Sequence, residues 1–184
     1  MYPCATVPMH WLRVVGILVV VALLQVTFLP VLEVRGVHPD LLLLVAVYVV
    51  VREPLRKGWI AHAFWLGWVA GLMEDVYSAG SHLPLGSTAL VFGLMAVVMA
   101  RLGAELYFDS AISQVLVVGP ACLAAHGVLG LALMMATGGP AGPILARALW
   151  TAVYSALAAP LVCLVLRRLE RPLGVRSRRS FGDA

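Results

Sequence analysis

The chain has 184 residues, 62% of them hydrophobic and 12% charged, with a mean hydropathy of +0.97 and a formal net charge of +4. Soluble domains average about 45–50% apolar and about 25% charged residues, so the composition excludes an ordinary soluble domain and points to an all-α integral membrane protein. Three cysteines, Cys4, Cys122 and Cys163, are too scattered for a disulfide framework or a metal site, and the last two read as small hydrophobes inside apolar runs.

A spanning helix needs about 20 apolar residues. The first such segment is 12–32. It is longer than a signal-peptide core and no small-x-small cleavage site follows, so it is expected to remain as a membrane helix. It carries Gln25, expected to hydrogen-bond a neighbouring helix. The second segment, 39–52, gives only about 20 Å of helix against about 30 Å of hydrocarbon. It is either a full span in a locally thinned bundle or a helix buried among its neighbours. His38-Pro39-Asp40 places proline at its start, where a missing N–H costs nothing, and Asp40 in its first turn, beside the positive end of the dipole. The third segment is 58–77 and ends on Glu74 and Asp75. Pro84-Leu85-Gly86 opens the fourth, 84–102. The fifth, 111–136, contains Pro120 and has Asp109 or Ser110 as its cap. Gly138-Gly139-Pro140 breaks the chain before the sixth, 144–166, which contains Pro160. Both internal prolines are expected to kink their helices. Trp11, Trp59, Trp65 and Tyr107 fall near predicted interfaces, where amphipathic rings prefer to lie.

The charge layout favours six spans with both termini cytoplasmic. Eleven of the thirteen basic residues then lie on the inner side: Arg13, Arg52, Arg56, Lys57, Arg101, Arg167, Arg168, Arg171, Arg176, Arg178 and Arg179. Arg35 stays outside and Arg147 sits just inside the last helix. The expected organisation is a transmembrane domain over 1–170 and a basic cytoplasmic tail over 171–184. The tail should attract anionic lipid at about 1 kcal/mol per basic residue; a protein partner is the alternative. No nucleic-acid partner is expected.

Counting back from Asp75 by fours gives Gly71, Gly67 and Ala63 on one helical face, with Glu74 close by. Small residues four apart let a neighbouring helix approach, so this face is expected to meet another helix. Ala148, Ala152 and Ala156 form a second such row. Asp40, Asp75 and Arg147 are placed at similar depth near the outer edge, and Arg147 continues into a stripe of Thr151, Tyr154 and Ser155. The expectation is an ion pair of Arg147 with Asp75 or Asp40. Solvation at the interface, or a transport or catalytic role, are the other readings. Glu74 is expected to reach the outer aqueous layer. His126, near mid-membrane, is read as hydrogen-bonded to a neighbouring helix, with a proton relay as the alternative. There is no HExxH pair, no GxSxG turn and no Walker lysine loop. No enzyme activity, metal or cofactor is expected.

Two stretches carry a family resemblance. "HPDLLLLVAVYVVVREPLRKG" (38–58) resembles the Pro-Asp, aliphatic run and short basic loop of rod shape-determining MreD proteins. "GWVAGLMEDVYSAGSHLPLGSTAL" (67–90) is similar to the family segment in which spaced glycines precede an acid, a small-residue turn and a Pro-Leu-Gly that opens a helix. Asp40, Gly67, Gly71, Asp75, Pro84, Leu85 and Gly86 match residue by residue. Ala-Leu-Trp-Thr-Ala and Arg-Arg-Leu of the last helix are similar too. Glu74 beside Asp75, the long Gly-Ser-His turn and the basic tail depart from the pattern. The resemblance implies a non-catalytic scaffold in the bacterial inner membrane, part of the peptidoglycan-synthesising elongation machinery. It implies a partner in MreC, a single-span protein, alongside RodA, a class B penicillin-binding transpeptidase and MreB filaments. It also implies a compact six-helix bundle similar to the substrate-binding subunits of energy-coupling-factor transporters. That likeness leaves a vitamin-type transporter subunit as the alternative function, discriminated by which proteins copurify. A lipid or polyprenyl carrier with a lateral groove is a third reading.

Overall fold

A computed structural model describes residues 10–32, 37–52, 59–77, 83–103 and 110–173. Expectations for Cys4, Arg35, Arg56, Lys57, the Gly-Ser-His turn, Tyr107, Asp109, the Trp11 side chain and the tail beyond 173 lie outside the described residues. Six helices follow in chain order: α1 (His10–Leu32), α2 (Leu41–Arg52), α3 (Trp59–Tyr77), α4 (Ser87–Leu102), α5 (Ala111–Thr137) and α6 (Ala141–Leu173).

α2 is the hub. Every residue from Leu42 to Arg52 is buried, and α2 packs against all five other helices. The others ring it in the order α1, α3, α4, α5, α6, with the α3–α4 and α5–α6 pairs sharing the largest contacts. The second segment is buried among its neighbours along its length. A helix made almost wholly of Leu and Val has no polar face to turn outward, so the centre is its stable place.

The glycine seam on α3 meets α4. A methyl group built on Gly67 would sit 2.4 Å from the Phe92 carbonyl oxygen, and one on Gly71 would sit 2.6 Å from the Ala89 Cα. From the other side, Gly93 faces the Phe64 ring. The backbones touch because side chains are missing at these crossings. Ala148, Ala152 and Ala156 are buried on α6, and Gly119 of α5 approaches Ala156.

The outer surface is apolar. The outward-facing Leu and Val side chains on α1, α4, α5 and α6 are 40–83% exposed. Water would not tolerate so continuous an apolar surface, whereas hydrocarbon does. By length and composition, Ala111–Thr137 and Ala141–Arg168 are each able to cross a membrane, while α2 and α4 are shorter apolar helices.

Several helix bounds differ from the expected segments. α4 begins at Ser87, not at 84, because Gly86 adopts a left-handed φ of 98° that no right-handed helix accommodates. α2 begins at Leu41, so Pro39 lies outside it and Asp40 is its cap. α6 begins at Ala141 and runs to Leu173, past the 170/171 boundary expected for the tail. α5 and α6 both continue through their prolines. Ser110 caps α5 by accepting the Ser113 N–H at 3.1 Å. Trp59 is buried, whereas Trp65 is 53% exposed and packs edge-on against Trp68.

Candidate functional site

Polar groups from all six helices converge where α3 ends and α2 and α4 begin, beside the middle of α5 and α6. Asp75 occupies the last turn of α3, on the same face as Gly71 and Gly67. The close approach permitted by those glycines delivers its carboxylate to the start of α4. There Oδ2 accepts the Gly86 N–H at 2.8 Å and the Ala89 N–H at 3.3 Å, and Oδ1 accepts the Thr88 N–H at 3.3 Å. A helix N-terminus leaves N–H groups without partners inside the helix and carries partial positive charge. Asp75, 6% exposed, satisfies three of these donors from a different helix. This explains why an acid, a turn and Pro-Leu-Gly occur together. The turn brings the chain back, Gly86 takes the left-handed bend, and the carboxylate caps α4.

Asp40 plays the same part for α2, and more. Its Oδ1 accepts the Leu43 N–H at 2.9 Å, its Oδ2 lies 3.1 Å from His126 Nε2 of α5, and its own N–H donates to Ser155 Oγ of α6 at 2.9 Å. The residue is 1% exposed. The His126 ring is also edge-on to Phe92 of α4, with centroids 6.2 Å apart. From α1, Gln25 donates to Glu74 Oε2 at 2.8 Å and accepts the Leu42 N–H at 3.3 Å. Glu74 is half-buried, the most exposed of the three acids.

The anticipated pairing of Arg147 with Asp75 or Asp40 is not present. Arg147 is exposed and makes no ion pair among the described residues. The reason is helical phase. The buried face of α6 runs through Ala148, Ala152, Ser155, Ala159 and Cys163. At 3.6 residues per turn, Arg147 lies roughly 120° around the helix from the centre of that face, and about 12 Å along the axis from Ser155. Thr151 and Tyr154 flank the Arg147 side and are half-buried. Of the supposed polar stripe, only Ser155 enters the junction. Both carboxylates are hydrogen-bonded instead, Asp75 by backbone N–H groups of α4 and Asp40 by the Leu43 N–H and His126.

Backbone donors at Gly86, Thr88 and Ala89 were not among the sequence candidates, because a backbone N–H has no residue signature. The available signal was an acid 11–14 residues ahead of a helix start marked by Pro-x-Gly. Ser155, His126 and Asp40 include the residue types of a nucleophilic triad, but the arrangement is different. Ser155 Oγ is engaged by the Asp40 N–H and is fully buried, while His126 faces the Asp40 carboxylate. The arrangement ties helix ends together. Among the described residues no group of His, Cys, Asp and Glu is arranged to hold a metal ion.

A family model described as rod shape-determining protein MreD matches residues 7–172. No curated protein and no solved structure matches the chain.

Proposed function

We propose that this protein, which belongs to the MreD family of rod shape-determining proteins, acts as a non-catalytic scaffold that crosses the bacterial inner membrane six times with both termini cytoplasmic. It binds the transmembrane helix of an MreC-like single-span protein. Through that partner it joins RodA, a class B penicillin-binding transpeptidase and MreB filaments in cell-wall elongation, while its basic tail rests on anionic lipid. The observation that carries this reading is the polar junction. Every helix contributes to one internally satisfied network, so the chain behaves as a single rigid block. What it offers to other molecules is apolar helix surface, which suits recognition of a membrane helix by packing. A network whose acceptors are occupied by the protein's own backbone and side chains does not suit a vitamin-binding subunit, which would turn polar groups toward a ligand.

The test is depletion of the protein in its native rod-shaped host, with rescue by variants. Cells should round up on depletion. Wild type and Arg147→Ala should restore rods, and Gly71→Leu, which breaks the bundle, should not. Rods that persist on depletion, or rescue by Gly71→Leu, would refute the scaffold reading.

A further inference from the structure

Amphipathic indole rings prefer the headgroup level of a bilayer. Trp59, at the start of α3, fits that preference. Trp65 and Trp68 do not. Trp68 is the midpoint of α3, about 14 Å from either end, and Trp65 is about 9 Å in from Trp59. Trp65 is exposed on the outside of the bundle, with Trp68 half-buried at its side. Their rings meet edge-on with centroids 5.5 Å apart. Phe64 meets Trp65 edge-on at 6.0 Å. It also lies on Gly93 of α4, where a methyl group would sit 2.9 Å from the ring. The missing side chain on α4 lets Phe64 lie flush, and Phe64 braces the indoles. A rigid aromatic row results on the outward face of α3, which continues at helical spacing through Leu72 to Val76.

An indole N–H can only donate. Trp65 and Trp68 make ring contacts, and among the described residues neither donates a hydrogen bond. Their layer has no acceptor side chain to offer. Asp75, Thr88, Gln25, His126 and Ser155 mark the level of the polar junction on α3, α4, α1, α5 and α6. Trp68 lies about 10 Å inward of that level. Within one turn of its depth, the other helices of the outer ring contribute 14–22, 91–99, 115–123 and 158–166. None of these stretches contains a hydroxyl, amide or carboxylate side chain. Acyl chains carry no acceptor either, and lipid ester groups lie at the bilayer edge. A second copy of this chain would present the same acceptor-free layer.

We propose that the Trp65–Trp68 face of α3 is the docking surface for the membrane helix of the single-span partner. That helix carries a Ser, Thr, Asn or Gln near its midpoint, which accepts from the indoles. The inference rests on the scaffold reading above and adds which helix receives the partner and what chemistry the partner brings. Rigid indoles give large contact area at low entropic cost and are enriched among residues that dominate interfaces. Polar side chains join membrane helices by hydrogen bonds across the contact.

The test is photocrosslinking of the full chain in its native host. A benzophenone amino acid replaces Leu72 on this face or, for comparison, the exposed Leu94 on α4, Leu123 on α5 or Leu157 on α6. Capture of the MreC-like protein at position 72, above the other three, is expected. The double variant Trp65→Phe, Trp68→Phe keeps both rings and removes both donors. It should lower capture at position 72 about tenfold, at about threefold per hydrogen bond, and leave the unfolding midpoint in detergent unchanged. If the midpoint moves, Trp65→Phe alone is used, with about a threefold loss expected. Alanine at the partner's mid-helix Ser, Thr, Asn or Gln should reproduce the loss. Capture chiefly at positions 94, 123 or 157 would overturn the proposal and leave the scaffold reading standing. So would capture at position 72 that ignores the phenylalanine variants, or a captured helix without an acceptor side chain. A second copy captured at position 72 would overturn it in favour of self-association, and lipid adducts alone there in favour of a lipid-facing α3. No single-span protein at any position would refute the scaffold reading as well.

Discussion

Replacing Asp75 tests how the end of α3 is joined to the start of α4. Asp75→Ala removes the acceptor for three N–H groups at the start of α4 and the negative charge facing that helix's dipole. A hydrogen bond to a charged group contributes about 1.5–3 kcal/mol, but two of these are long and the three share one side chain. Together with about 0.3–1 kcal/mol from the dipole, a loss of roughly 3 kcal/mol is expected, since such contributions are not additive. Asp75→Asn should cost less. One amide oxygen can still accept from Gly86 and Ala89, while the amide nitrogen is set against the Thr88 N–H, another donor. Unfolding in mild detergent with rising denaturant, followed by the tryptophan signal from α3, measures both. The ordering wild type, then Asn, then Ala is expected. Wild-type stability for Asp75→Ala would refute the capping role. The same assay addresses Arg147. Since it shares no partner with Asp75, the double variant Asp75→Ala, Arg147→Ala should equal the sum of the singles within about 0.5 kcal/mol. A large coupling energy would restore the ion pair.

Other substitutions are read by the same unfolding measurement. Gly67→Ala and Gly71→Ala should both destabilise strongly, because the added methyl would meet α4 backbone at 2.4 and 2.6 Å. Gly16→Ala, with nothing within 4 Å, should be neutral or stabilising by up to about 1 kcal/mol through helix propensity; the reverse pattern would mean that α3 does not face α4. His126→Ala leaves the buried Asp40 Oδ2 without its side-chain partner and should cost about 1–3 kcal/mol, whereas an unchanged midpoint would remove His126 from the junction. Gly86→Ala should cost about 1–2 kcal/mol through its left-handed backbone alone, since space for the methyl is open.

Six apolar segments were legible because membrane helices announce themselves by length and by the absence of charge. The α3 seam was legible because glycine at every fourth position has few other uses. The direction of Asp75 followed from the same period, but its partner did not. Three backbone N–H groups on another helix carry no letter in the sequence. Arg147 was misplaced for a related reason. Thr151 and Tyr154 make the Arg147 side of α6 look like its inner face, while the true inner face is the alanine row plus Ser155, which reads as bland. The contacts of Asp40 with His126 and of Gln25 with Glu74 join residues 86 and 49 positions apart. Nothing local in the chain specifies such pairs; they appear only once α2 is known to sit at the centre.

Whether this MreD-family chain is a scaffold for a single-span partner is decided by native mass spectrometry. The tagged full-length protein would be extracted from its own host's membrane in mild detergent. A scaffold should yield a stable species containing this chain and an MreC-like protein with one membrane helix and a large domain outside the membrane. Recovery with ATP-binding-cassette subunits, or of the chain with a vitamin-sized ligand and no single-span protein, would contradict it.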